Sequence, residues 1–297
     1  MSRPRGLAPW RPQAKTRLLL EQVQAVLAEY ADHLPLTLRQ VFYRLVGAYD
    51  YDKTEAAYER LAEALNRARR AGIVPFEAIR DDGVTVEAPL GFTGLPDFGR
   101  TVRELADNYR RDRLEGQPAA VEVWVEAGGM VPQAVRVADP YGIPVYSCGG
   151  FDSLPAKNDT ARRALAEDRP TVILHIGDHD PSGVSLFAAF AEDVAQTTID
   201  LGGNNPVIFY RVAVTPEQIE RYQLPTAVAK AHDKRAAWLG GGTVQAEALP
   251  PAALAEELRQ AVETVLDLAA YDDLLEREAG ERDQLVARVG SLFGEAS

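Results

Sequence analysis

The stretch Thr171-Val-Ile-Leu-His-Ile-Gly-Asp-His-Asp-Pro-Ser-Gly183 constrains the fold of this chain more than any other. A short, mostly apolar run from Thr171 to Ile176 ends at Gly177, and two carboxylates follow, Asp178 and Asp180. Such a run, bounded by turn residues and followed by a helical pattern, suits a central strand of a parallel sheet. The helix is expected to start at about Val184. Open α/β sheets bind ligands just past the carboxyl ends of their strands, and both aspartates fall there. Two carboxylates so close repel each other, and a hard divalent cation relieves the repulsion. A strand-end aspartate can also simply cap the next helix, and Asp180 is placed to do so.

The flanking pattern alternates. Strands are expected at 120–126, 143–148, 171–176 and 206–213, with helices near 129–139, 154–167 and 183–200. A βαβ succession of this kind predicts a parallel sheet with helices on both faces. Glu126 ends the first of these strands, so three carboxylates, Glu126, Asp178 and Asp180, can converge at neighbouring strand ends. Mg²⁺ takes one or two carboxylates together with phosphate and water, which suits phosphoryl transfer on a nucleic-acid backbone. Thr215-Pro-Glu-Gln218 has the form of a helix start. Residues 224–242 read as a long loop carrying Lys230, Lys234 and Arg235, and helical segments run from Pro250-Pro251 to about 293.

Ahead of the sheet the pattern changes. Residues 1–12 read as a flexible arm. An amphipathic helix covers 13–31. Thr37-Leu-Arg-Gln40 is a capping box for a helix over about 38–47, and a third helix runs from about Thr54 to Ala71 with Gly72 behind it. Asp82-Gly83, between β-prone residues, signals a hairpin. Three helices and a hairpin predict a winged helix-turn-helix domain over 13–88, a module that docks on DNA; the plainer alternative is a helical domain with a surface hairpin. Residues 89–118 are expected to be a linker and a helix at about 98–114, and the α/β domain with its C-terminal helices fills 119–297.

A formal charge of −12 argues against a nucleic-acid partner, but it hides an asymmetry. Residues 1–116 carry 18 Lys and Arg against 17 Asp and Glu, leaving 14 against 27 for the remainder. The basic residues of the first part are clustered, with Arg67, Arg69 and Arg70 in one group and Arg110, Arg111 and Arg113 in another. That pattern permits DNA, although solvated helix faces explain it equally. Candidate DNA contacts are Arg44, Arg67, Arg69, Arg70, Lys234 and Arg235. The single cysteine, Cys148, leaves no intrachain disulfide and is expected to be buried and inert. No signal-peptide stretch or membrane span is legible, so a soluble, cytoplasmic, nucleoid-associated protein is expected.

A strand ending in Glu126 and a later one ending in Asp178-His-Asp-Pro-Ser-Gly183 resemble the Toprim domain of topoisomerases, primases and several nucleases. The version here is similar to that of the topoisomerase VI A subunit family and its phage and bacterial relatives. Val121-Glu-Val-Trp-Val-Glu126, Tyr141-Gly-Ile-Pro-Val145, Tyr210 to Ile219 and Ala248-Leu-Pro-Pro251 agree with it, covering roughly 115–270. Arg39-Gln-Val-Phe-Tyr43 resembles the Arg-x-x-Tyr/Phe-Tyr motif of the winged-helix domain in the same family and in the eukaryotic meiotic recombination initiator. The resemblance implies that Tyr43 attacks a DNA phosphate and becomes linked to it. Arg39 and Arg44 would hold that phosphate, and Glu126, Asp178 and Asp180 would hold Mg²⁺ (or Mn²⁺). It also implies a homodimer on double-stranded DNA, each metal site serving its partner's tyrosine. No phosphate-loop sequence occurs, so ATP-driven strand passage would need a separate ATPase subunit.

The chain departs from the family at Ala127, where relatives carry a lysine after the strand-end glutamate. Two other readings therefore stand beside tyrosine transesterification: a metal-dependent Toprim nuclease that uses water, in phage defence for example, and a non-catalytic DNA-binding protein with a degraded site. His175 is expected to be a core histidine and His179 to lie between the acids, with contact to substrate or metal as the lesser alternative; Glu247 is expected to be a solvated residue, the alternative being an acid that supports the metal ligands.

Overall fold

A computed structural model describes residues 7–80, 89–148, 154–226 and 242–293. The hairpin expected around Asp82-Gly83, and Lys230, Lys234 and Arg235, lie outside the described residues.

The N-terminal module is helical. Helix α1 (Ala14–Glu29) buries Leu20, Val23, Val26 and Leu27, spaced three and four apart as one helix face requires. Thr37 starts helix α2 (Leu38–Tyr49) through a reciprocal box: its hydroxyl accepts from Gln40 N at 3.1 Å, and Gln40 Oε1 accepts from Thr37 N at 2.8 Å. Helix α3 (Glu55–Arg70) is capped by Thr54 and followed by Gly72 at φ 72°, a backbone that glycine adopts without strain. Strand β1 (Leu36–Thr37) pairs in parallel with β2 (Ile79–Arg80). The expected arm is partly tied down: Ala8 N donates to Arg70 O at 3.0 Å, and Trp10 packs on the core of the module.

The second unit is an α/β domain. Strands β3 (Ala120–Val125), β4 (Val145–Ser147), β5 (Thr171–Ile176) and β6 (Val207–Ala213) form one parallel sheet in the order β4-β3-β5-β6. The two central strands, β3 and β5, are buried along their whole length, as their continuous apolar runs predict. Side chains alternate between the faces. Val121, Val123, Val125, Val172, Leu174 and Ile176 pack with helices α5 (Val131–Ala138) and α9 (Pro251–Val265). Trp124 and Ile173 turn the other way, toward α6 (Leu154–Ala166) and α7 (Pro181–Asp200). On that face buried Glu122 accepts from Arg163 at 2.8 and 3.0 Å and from Trp124 Nε1 at 2.8 Å. A short helix α8 (Pro216–Arg221) follows β6 behind the Thr215/Gln218 capping box.

Helix α4 (Leu95–Asp107) ends well short of the expected residue 114. The cause lies in the C-terminal helix α10 (Leu268–Phe293), which captures the chain after Asp107. Glu278 on α10 accepts from Arg111 N at 3.0 Å, from Arg113 Nε and Nη2 at 3.1 and 2.6 Å, and from Arg282 at 2.5 Å. Arg111 also pairs with Glu115 and Glu281, and Arg110 with Asp139. Arg111 and Arg113 thus clamp the chain to α10, while Arg110 pairs with Asp139 at the surface. Helix α4 and the segment that follows it pack on α10.

Hydrogen bonds from Arg113, foremost, hold the Glu278 carboxyl below its ordinary value near 4.5. A depressed carboxyl stabilises the fold above its unfolded value, and that contribution is lost as pH falls through the folded value. Both side chains are nearly inaccessible, 11% and 2% exposed. Glu278→Ala is expected to cost about 3–5 kcal/mol at neutral pH, as removal of one partner of a buried pair does. It should also flatten the loss of stability below about pH 4.5. Urea unfolding of both proteins across this range checks it.

Candidate active site at the strand ends

Register places the first two acids together. Val125 is level with Ile176, so the residues that follow, Glu126 and Gly177-Asp178, leave the sheet side by side. Glu126 N donates to Ile176 O at 2.9 Å, and Asp178 N donates back to Glu126 Oε2 at 3.1 Å. The Glu126 carboxylate lies over the α-carbon of Gly177, where a β-carbon would stand 2.6 Å from Oε2 and 2.4 Å from the His175 ring. Gly177 is therefore a requirement of space. Asp178 Oδ1 accepts from Ala246 N at 2.8 Å, and Asp180 Oδ1 accepts from Gly183 N at 2.6 Å as the cap of α7. Asp180 thus fills the capping role, and its charge acts on the other two acids. Each carboxylate is fixed by a main-chain N–H through one oxygen.

Burial raises the Glu126 carboxyl above its usual range, with the charges of Asp178 and Asp180 adding to the shift. Burial raises Asp178 likewise, and Asp180 adds to it. One cation sits among them. Arg211 on β6 donates to Gly177 O at 3.0 Å, to Asp178 O, and through Nε to Val214 O at 3.1 Å. It braces the turn that carries Asp178, and its charge acts on Glu126, Asp178 and Asp180. Even so, burial leaves both shifted acids above their ordinary values.

The N-terminal module reaches this centre through four residues, Val244 to Glu247. Val244 forms an antiparallel bridge with His179, and Ala246 N holds Asp178. On the other side of the same segment, Tyr43 OH donates to Gln245 Oε1 at 2.6 Å and Arg39 pairs with Glu247 at 3.5 Å. Tyr43 packs against both hydrophobic cores, that of the helical module and that of the sheet. Burial raises its phenol first; Arg39 lowers it, and Glu247 and Asp178 raise it again. A cleft of about 380 Å³ opens beside it, lined by Arg39, Tyr43, Lys53, Tyr58 and Gln245 among others. Lys53 Nζ stands 5.5 Å from the centre of the Tyr43 ring.

Five expected site residues, Tyr43, Arg39, Glu126, Asp178 and Asp180, therefore meet in one region. The expected DNA contacts do not. Arg44 makes a bidentate pair with Glu29 at 2.6 and 3.3 Å, turned to α1 and away from Tyr43. Arg67 pairs with Glu63 at 2.5 Å and lies by Trp10. Arg69 donates to Phe76 O and Ile79 O, and Arg70 to Asn66. Lys234 and Arg235 lie outside the described residues. Glu247 is buried, not solvated, and pairs with Arg39. His175 is buried and stacked on Phe187 with ring centres 4.1 Å apart, and burial lowers its pKa to about 3. His179 is buried as well, and burial lowers its pKa. Cys148 is buried, which pushes its thiol up to about 12. Sequence reasoning passed over Arg211, Lys53 and Gln245. Arg211 carried one signal, a basic residue within a run feeding a buried sheet.

Among the described residues, no three or more His, Cys, Asp and Glu side chains are grouped to hold a metal ion as they stand. The donors suit a hard cation carried by one or two carboxylates and completed by water and phosphate, not a closed protein cage. Among the described residues, no helix is long and apolar enough to cross a membrane. No protein-family model and no curated protein matches this chain.

Gly177→Ala is expected to lower stability by about 1–3 kcal/mol, the usual cost of overpacking, because the Glu126 carboxylate and the His175 ring must move. Gly47→Ala, where a β-carbon meets nothing within 4 Å, serves as the control. Thermal or urea unfolding of the two variants checks it; equal behaviour would contradict the close approach.

Proposed function

We propose that this chain is a Mg²⁺- or Mn²⁺-dependent DNA-cleaving enzyme of the topoisomerase VI A type, with double-stranded DNA as substrate. The observation that carries the reading is the strut Val244–Glu247, which has the acid centre bonded to one side and Tyr43 and Arg39 to the other. In this reading the winged-helix and Toprim resemblances describe the two halves of one site. Tyr43 is the nucleophile. Arg39, half exposed, and Lys53 bind the phosphate and balance the charge that develops on it. Glu126, Asp178 and Asp180 are the residues that would hold the cation, which when bound supplies charge stabilisation for the oxygens around phosphorus. Arg211 keeps the Asp178 turn in place.

A second reading has its own observation. The Tyr43 hydroxyl is engaged by Gln245 and its phenol is raised, and both make it a weaker nucleophile at rest. Hydrolysis by water at the same carboxylates needs no tyrosine. Supercoiled plasmid incubated with Mg²⁺ and stopped with detergent separates the two. Wild type is expected to leave protein-linked DNA ends. Tyr43→Phe and Asp178→Ala should each lower them by a factor of about 100 or more, the scale on which a catalytic group acts. Free ends that persist in Tyr43→Phe would favour water, and no cleavage by any variant would leave a DNA-binding protein.

A further inference from the structure

We propose that the N-terminal module carries a second ligand site, a cavity that takes a free nucleoside monophosphate. The proposal is independent of the cleavage reading, because the cavity shares no lining residue with the cleft beside Tyr43.

The cavity measures about 470 Å³ and is lined by residues of the arm, α1, α3 and the chain around the end of α2. Small-molecule sites span roughly 300–1,000 Å³, so a ligand of nucleotide size has room. Trp10 and Tyr49 give it aromatic walls, and Leu18 and Leu19 an apolar one. Leu18 is 56% exposed and Tyr49 36%, so this apolar surface is open rather than spent on the core of the module. The walls are in place before a ligand arrives. Ala8 N donates to Arg70 O at 3.0 Å and anchors the segment that leads to Trp10. Arg67 stands 6.0 Å from the centre of the Trp10 ring and is itself tied to Glu63. Tyr51 OH donates to Ala57 O at 2.9 Å, which fixes the chain just after Tyr49. Preorganised aromatic walls favour a planar ring, and every nucleobase presents one.

The charges of the lining select the rest of the ligand. Arg60 pairs with Asp52 at 3.5 Å, and Arg67 with Glu63 at 2.5 Å. Lys15 and Asp50 line the same cavity, and among the described residues neither has an ion pair. One unpaired ammonium matches one phosphate group. One unpaired carboxylate matches hydrogen-bond donors, such as the hydroxyls of a sugar or the amino group of a base. A nucleoside triphosphate would bring more negative charge than a single ammonium answers, and no phosphate loop is present to take it. A nucleic-acid strand would need cations spaced along its backbone. The mononucleotide is the ligand that engages the aromatic walls, Lys15 and Asp50 together.

Calorimetric titration of the whole chain tests this, with the 5′-monophosphates of adenosine, guanosine, cytidine and uridine as probes and no divalent cation present. At least one of them is expected to bind with a single site per chain. The matching nucleoside, which lacks the phosphate, should bind about tenfold more weakly, the scale of a lost hydrogen bond to a charged group. Tyr49→Ala and Lys15→Ala change exposed side chains, so the fold should survive, and unchanged thermal unfolding checks that. Each should weaken binding about tenfold or more, by loss of the stacked ring or of the ammonium. Tyr210→Ala, at an exposed tyrosine of β6 outside the cavity, should leave the affinity unchanged. No saturable binding of any probe below about 1 mM would overturn the proposal. So would binding that survives both cavity variants, or a nucleoside that binds as well as its nucleotide. Loss of binding in Asp178→Ala would place the nucleotide at the acid centre and overturn it too. A short single-stranded oligonucleotide is expected to compete more weakly than the mononucleotide; stronger competition would reassign the cavity to a strand.

Discussion

Parallel pairing of β3 with β5 forces like charges together, and the surroundings of the site answer that repulsion. Once Val125 is level with Ile176, Glu126 and Asp178 have nowhere to go but the same corner of the sheet. Asp180 joins them because it must cap α7. The protein offsets part of the repulsion with main-chain N–H groups from Asp178, Ala246 and Gly183, and part with the Arg211 guanidinium. Charge-assisted bonds of this kind fix carboxylates without neutralising them. Room for the arrangement comes from Gly177, the residue over which the Glu126 carboxylate lies.

Much of this was legible in the sequence, for local reasons. The strands β3 and β5 announce themselves as apolar runs because both faces of a central parallel strand are covered. Glu126 and Asp178 follow from strand ends, and the capping boxes at Thr37 and Thr215 from a three-residue spacing that the backbone itself reads. Parallel order brings the acids together without any long-range guess beyond which strands are neighbours.

What escaped depends on pairs far apart in the chain. Glu247 looks like a surface acid until Arg39 is known to lie over it. Gln245 has no signal of its own, since its partner Tyr43 is 202 positions away. The early end of α4 follows from Glu278 on the last helix, which takes up the donors of Arg111 and Arg113. The basic clusters misled for the same reason. A run of arginines reads alike whether it faces solvent or folds back on nearby acids and carbonyls, and Arg69, Arg111 and Arg113 do the latter.

Electrostatics sets the remaining constraint on the cleavage reading. A chain of formal charge −12 gains nothing from long-range attraction to DNA, so any attraction must be local and short in reach. Two cations, Arg39 and Lys53, line the cleft beside Tyr43. In the pair with Glu247, Arg39 is 52% exposed while its partner is 8% exposed, so the guanidinium faces out and the carboxylate faces in. Lys53 stands over the tyrosine ring from the connection between α2 and α3. Arg39 and Lys53 thus place cations beside Tyr43, and Arg211 places another among the acids. Under the proposed cleavage, a DNA backbone would be held by these local cations, because the acids by themselves would repel it.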